Sequence, residues 1–271
     1  MQTFRLTMAY DGTDFAGWQW QPNTRTIQNE LETALEGITG KRPKCFASGR
    51  TDAGVHALGQ VVSFDSETYL SGPALTKALN AELPDDLFVF DVQVAPPGFH
   101  AQRNAVRKRY RYVIEDGRTR DLFDRRYVWH VYLRLNVEAM REAAQALVGT
   151  HDFASFETSG SQRLTTTRTI FDLLVERRAE PLTDRVIIEV EADGFLYNMV
   201  RNIAGTLVAV GKEKQPISFA ADALAACDRT KAGMTAPPQG LFLVGVQYPE
   251  ILDFGLPILD SNSSTDEASP E

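Results

Sequence analysis

The sequence predicts an α+β protein made of two ferredoxin-like (RRM-like) βαββαβ halves with mainly antiparallel sheets. Three observations predict it. The chain has 271 residues, enough for one large domain or two small ones. Its composition, 43% hydrophobic and 24% charged, supplies material for a packed core. Apolar residues switch between strand and helix spacing in the same order twice, without a visible repeat in the residues themselves.

In the first half, Phe4, Leu6, Met8 and Tyr10 alternate onto one face of a strand that ends at the Asp11-Gly12 turn. Ile27, Leu31, Ala34, Leu35 and Ile38 recur at helical spacing, with Thr26 placed to cap the helix and Gly40 to end it. Strands over Cys45–Ala47 and Gln60–Phe64 flank a glycine-rich loop. Pro73 opens a helix through Leu75, Leu79 and Leu83 that stops at Pro84, and Leu87–Val94 is a strand ending at Pro96-Pro97. The second half starts with a strand over Tyr110–Ile114 and a helix from Asn136 that carries Met140, Ala143, Ala144 and Leu147. His151-Asp152 reads as a helix-end turn. Ile170–Glu176 and Val186–Ala192 form a strand pair, followed by a helical stripe of Leu196, Val200, Ile203 and Leu207. A short helix over Phe219–Cys227 and a strand over Leu241–Tyr248 close the fold. The expected division is residues 1–104, residues 105–249, and an acidic tail over 250–271 whose Ser- and Asn-rich composition predicts disorder.

Several function classes are excluded by composition. Mean hydropathy is −0.24, and no apolar run approaches the roughly 18 residues that span a bilayer, so no membrane role is expected. The amino terminus lacks the basic and apolar pattern of a secretory signal. Cys45 and Cys227 lie far apart without metal-ligand spacing, which favours a reducing, cytoplasmic setting. His56, His100, His130 and His151 are equally scattered, so no metal site is expected. Trp18, Trp20 and Trp129 read as packing residues rather than base-stacking platforms.

Charge needs a local reading. The net charge of −8 and pI near 5.1 argue against a nucleic-acid partner. Yet His100–Arg134 holds ten basic residues and four acidic ones. Arg103, Arg107, Lys108, Arg109 and Arg111 head that run and are candidates for contacts with an RNA backbone. Screening confines each charge to about 10 Å, so a basic patch acts whatever the total.

The most unusual segment is Ala47–Gln60, where three of the residues between the flanking strands are glycines (Gly49, Gly54, Gly59) beside Arg50, Asp52 and His56. Hairpins usually close in about two to five residues, so a longer connection calls for a reason. Three readings are open. A phosphate cradle would want a lysine and a following helix, and the segment has neither. A structural turn would use Thr51 and Asp52 to bond nearby amides. A catalytic loop would present Asp52 with Arg50 beside it.

Gly49-Arg50-Thr51-Asp52-Ala53-Gly54-Val55-His56-Ala57 resembles the signature of TruA-type tRNA pseudouridine synthases. Further matches run in order along the chain: Tyr10-Asp11-Gly12-Thr13 with Gly17-Trp18-Gln19, Gln21 and Ile27-Gln28; Arg109-Tyr110-Arg111-Tyr112; Gly149-Thr150-His151-Asp152-Phe153 with Phe156; and Phe195–Ile203. One departure stands out, because Phe99-His100-Ala101 is followed by Gln102 and Arg103 where many relatives carry arginine directly.

The resemblance implies isomerisation of uridine in the tRNA anticodon arm, at positions 38 to 40, in an active-site cleft between the halves. It implies Asp52 as nucleophile, Arg201 as its counter-ion, Tyr110 stacking on the target base and Arg50 aiding its extrusion. It further implies a homodimer. The reaction exchanges no electrons or groups with the surroundings, so neither cofactor nor metal is expected. Two rival classes remain on the residues alone. A non-catalytic RNA binder of two RRM-like units would want more strand aromatics than Tyr110 and Tyr112. A glycoside or nucleoside hydrolase would want a second carboxylate near Asp52.

Overall fold

The computed structural model describes residues 1–158, 165–180 and 182–250. The expected disordered tail therefore lies, from residue 251 onward, outside the described residues. The first half comprises β1 (Gln2–Tyr10), α1 (Ile27–Thr39), β2 (Phe46–Ala47), β3 (His56–Ser66), α2 (Gly72–Glu82) and β4 (Leu87–Val94). The second comprises β5 (Arg107–Asp116), β6 (Trp129–Val131), α3 (Val137–Gln145), β7 (Gly149–Asp152), β8 (Thr167–Arg178), β9 (Arg185–Ala192), α4 (Met199–Gly211), α5 (Phe219–Ala226) and β10 (Leu241–Gln247). The protein is a mixed α/β fold with a mostly antiparallel sheet.

Local chemistry sets the helix ends where the sequence places them. Thr26 Oγ1 accepts the Asn29 N–H at 3.4 Å to open α1, and Gly40 ends it with φ 75°. Asn136 Oδ1 accepts the Ala139 N–H at 3.1 Å to open α3. Ile27, Leu31 and Leu35 of α1 join Leu75 and Leu79 of α2 in one core with Phe4, Leu6 and Phe64. Each such side chain contributes about 1.5–3 kcal/mol on full burial.

The sheet is continuous across the two halves, and the sequence does not show this. Its order is β4-β1-β3-β10-β5-β9-β8-β7, with β2 on β3 and β6 on β5. The two halves meet where β10 runs parallel to β3, pairing Phe242 with His56 and Leu243 with Ala57. β2 covers only Val62 and Ser63 of β3, so the start of β3 would otherwise be an open edge. β3 begins at His56, ahead of the alternation visible from Gln60. Gly59 explains the masked signal: a Cβ there would lie 2.6 Å from the Val244 carbonyl of β10.

Two further expectations are corrected. His151-Asp152 is part of strand β7, antiparallel to β8, because a four-residue strand opened by Gly149 at φ 108° is too short to show alternation. Leu196 precedes α4 and packs in the turn before it, since the helix starts at Met199.

Candidate active site

The pairing of β10 with β3 and β5 positions the site. Leu243 of β10 pairs with Ala57 on one side and Tyr110 of β5 on the other. Tyr110 therefore stands two strand spacings, about 10 Å, from the strand that follows the Asp52 loop. On β5, Lys108, Tyr110 and Tyr112 share one face, while Arg107, Arg109 and Arg111 share the other.

The Ser48–Val55 loop is held from several sides. Segment Gly12–Trp18 grips it through Trp18 N–H to Thr51 O at 2.9 Å and Gly54 N–H to Phe15 O at 3.3 Å. That approach requires glycines: a Cβ on Gly12 would lie 2.0 Å from Val55 O, and one on Gly17, at φ 97°, 2.7 Å from Thr51 O. Beneath the loop runs a buried polar chain. Ser48 Oγ donates to Gln60 Oε1 at 2.7 Å, and Gln60 Nε2 donates to Gly49 O at 2.8 Å and Tyr10 Oη at 3.2 Å. Tyr10 Oη in turn shares a 2.8 Å bond with Thr51 Oγ1, and burial pushes its phenol up to about 12. From β5, Lys108 Nζ donates to Ser48 O at 2.7 Å.

The loop delivers Asp52 to a cleft of about 1110 Å³ lined also by Trp18, Tyr110, Phe195, Tyr197 and Asn198. Among the described residues, Arg50, Lys108 and Arg168 are its basic lining and Asp52 its acidic lining, so this part of the cleft is locally positive in a chain of net −8. The Arg201 guanidinium of α4 stands 3.6 Å from Asp52 Oδ2, with side-chain exposures of 15% and 34%. Arg201 is itself fixed, Nε donating to Ala236 O at 2.7 Å and Nη1 to Asn198 Oδ1 at 2.8 Å. Burial raises the Asp52 carboxyl above the ordinary range, and Arg201 only partly offsets it. Desolvation is the larger effect.

Tyr110 is 7% exposed and meets Phe195 edge-to-face at 5.0 Å. A Cβ on Gly49 would lie 3.7 Å from its hydroxyl, which measures how closely the loop approaches that ring. Arg50 is exposed on the cleft wall, and Arg103 is exposed in the turn before β5. The other basic candidates on β5 have partners across the sheet. Arg109 and Arg111 lie in register with Glu191 and Glu189 and pair with them at 2.9 and 2.6 Å, while Arg107 pairs with Glu191 at 2.9 Å. Trp18 is buried yet lines the cleft, whereas Trp129 packs on Tyr112 at 6.1 Å.

Sequence reasoning missed Gln60, Tyr10 and Asn198 as supports of the site. Gln60 carried a usable signal: a glutamine followed by Val61 and Val62 in an apolar strand must find partners once buried. Among the described residues no group of three or more His, Cys, Asp or Glu is placed to hold a metal ion, and no helix is long and apolar enough to cross a membrane.

Comparison with known proteins adds a separate line of support. A family profile described as tRNA pseudouridine synthase matches residues 6–102 and 143–249, which contain Asp52 and Arg201 but not Tyr110. The tRNA pseudouridine synthase A of Geobacillus sp. (strain WCH70) is 47% identical over 245 residues, 90% of this chain and 97% of that one. That of Thermoanaerobacter sp. (strain X514) is 44% identical over 92% of this chain and all of its own. That of Myxococcus xanthus is 44% identical over the whole of both chains. With two segments matched across both halves and relatives aligned over nearly their full lengths, the chain belongs to the tRNA pseudouridine synthase family, of the TruA type.

Proposed function

We propose that this cleft isomerises uridine to pseudouridine in the anticodon arm of tRNA, at positions 38, 39 and 40, with Asp52 as nucleophile and no cofactor. The isomerase class follows from the family. The single observation that carries the residue roles is the Asp52–Arg201 pair, at 3.6 Å, with Asp52 in a cleft whose other charged lining is basic among the described residues.

The chemistry needs little else. The N1–C1′ bond breaks, the uracil turns while bound, and C5 joins C1′. C5 loses its hydrogen and N1 gains one, so the product is an isomer of the substrate. An ionised Asp52 assists the cleavage or forms the covalent adduct. Arg201 stabilises that ionised form. Tyr110, braced by Phe195, stacks on the extruded base, and Arg50 holds open the place the nucleotide leaves.

Lys108 and Arg50 in the cleft, with Arg103 beside it in sequence, supply the RNA backbone contacts. Arg107, Arg109 and Arg111 have part of their charge offset by carboxylate partners and offer phosphates only the N–H groups those pairs leave over. The cleft lies between halves 1–104 and 105–249. The strand orders β4-β1-β3-β2 and β10-β5-β9-β8 support reading each half as a ferredoxin-like unit. The family resemblance further supports a cytoplasmic homodimer, which spreads phosphate contacts over a longer surface.

Incubation with unmodified tRNA transcripts, followed by carbodiimide-blocked primer extension, tests the proposal. New stops at positions 38 to 40 are expected. Stops confined to other regions of the tRNA, or none, contradict it.

A further inference from the structure

Asn198 is the residue at which α4 begins, and its conformation is unusual. Its backbone lies in the left-handed region, φ 60° and ψ 10°, which a non-glycine residue adopts at a cost. Its side chain makes no capping bond to the helix it opens, although asparagine is among the best caps. Both side-chain groups are committed elsewhere. Oδ1 accepts the Arg201 Nη1–H at 2.8 Å, and Nδ2 donates to Thr158 Oγ1 at 3.2 Å.

The consequence falls on Arg201. An arginine side chain is long and has several rotatable bonds, and here Nε is tied to Ala236 O at 2.7 Å. One such bond leaves the guanidinium free to swing. The second bond, from Nη1 to Asn198, fixes its plane, and that same nitrogen faces Asp52 Oδ2 at 3.6 Å. We propose that Asn198 is a positioning residue for the reaction, holding the Arg201 guanidinium on the Asp52 carboxylate by giving up the helix cap. The proposal rests on the reading of Asp52 as the nucleophile and Arg201 as its counter-ion.

α4 has side-chain anchors besides Asn198, whose backbone carbonyl accepts the Asn202 N–H at 2.9 Å in any variant. One turn later, Asn202 Nδ2 donates to Phe156 O at 2.7 Å, and its Oδ1 accepts from Arg229 at 2.9 Å and Thr235 at 2.7 Å. Ala236 N–H also bonds Arg201 O at 3.1 Å. Among the described residues, the ionisable groups that share the cleft with Asp52 are Arg50 on its own loop, Lys108 and Tyr110 on β5, Arg168 on β8 and Tyr197 ahead of α4. Asn198 also lines the cleft beside Tyr197, and its bond to Arg201 Nη1 connects it to the Asp52 carboxylate.

The test compares Asn198→Gly, Asn198→Asp and Asp52→Asn with the full-length enzyme on a tRNA substrate. Glycine accepts the left-handed backbone and removes only the amide. For Asn198→Gly, kcat is expected to fall about tenfold, the size of one lost bond to a charged group, with KM within about twofold and only a small change in Tm, since relief of the left-handed backbone offsets the lost Thr158 bond. The acid limb of its kcat–pH profile moves to higher pH. Asn198→Asp keeps an acceptor for Arg201 but adds a competing charge. Its plateau kcat recovers above the glycine variant while its acid limb stays displaced.

Wild-type kcat and acid limb in Asn198→Gly overturn the proposal. So does a fall in kcat with an unmoved acid limb, which marks a structural role alone. Asp52→Asn separates the two levels. Turnover by that variant defeats the underlying assignment, whereas an inactive Asp52→Asn beside an unaffected Asn198→Gly defeats only the positioning role.

Discussion

Replacing Gln60 by methionine keeps much of the side chain's length and removes its amide, and the structure sets the expected loss. Three hydrogen bonds disappear, to Ser48 at 2.7 Å, Gly49 O at 2.8 Å and Tyr10 at 3.2 Å. Tyr10 keeps Thr51 as a partner. The Ser48 hydroxyl, on a fully buried residue, and the Gly49 carbonyl are orphaned, at roughly 1–3 kcal/mol each. Gly49 is half-buried and its carbonyl recovers some water, so the expected destabilisation is about 2–4 kcal/mol. Urea unfolding measures it as a lower midpoint at constant slope. In a Ser48→Ala background one orphan is already gone, and the same change costs about 1 kcal/mol less. Because the orphaned groups belong to the loop that carries Asp52, kcat falls as well. A loss under about 0.5 kcal/mol, or an equal loss in both backgrounds, refutes the claim that Gln60 supports the loop.

Other outcomes follow from the same geometry. Asp52 acts ionised and its carboxyl lies above the ordinary range through burial, so kcat declines as pH falls through that raised value; Arg201→Gln removes the offset and moves the acid limb higher still. An unmoved limb in the variant contradicts the pairing. His56 is held below its ordinary range chiefly by burial, with Asp11 opposing, while Nδ1 accepts the Gly12 N–H at 3.0 Å. The unfolded chain therefore binds the proton first, and stability drops as pH falls below about 6.5. The difference in unfolding free energy between wild type and His56→Gln narrows over that window, and a pH-independent difference contradicts the account. Gly12→Ala forces a Cβ to within 2.0 Å of Val55 O and is expected to cost at least about 2 kcal/mol. Gly37→Ala, in α1 with nothing within 4 Å, is expected to gain about 0.5–1 kcal/mol by the same urea titration.

What could be read from the sequence was local. Thr26, Gly40 and Asn136 mark helix ends because their caps are short-range chemistry, and the Leu87–Val94 strand coincides with β4. Strands β6 and β7 escape because three or four residues carry too little alternation. The β3–β10 seam escapes because pairing across 185 residues leaves no periodic trace, though Gly59 marks the close approach. The basic run was visible as a count along the chain. Its partition was not, since Glu189 and Glu191 oppose Arg111 and Arg109 only once β9 lies beside β5. Asp52 stood out in an unusual loop, but its role came from resemblance. The left-handed backbone of Asn198 has no sequence signature at all, because asparagine is common in ordinary conformations too.

The most direct measurement is release of tritium from tRNA labelled at uracil C5, since joining C5 to C1′ expels that hydrogen. The account predicts steady release by the wild-type enzyme. It predicts none by Asp52→Ala at equal tRNA occupancy, checked by filter binding. Release by that variant at a comparable rate would show that the bond-making step does not require this carboxylate.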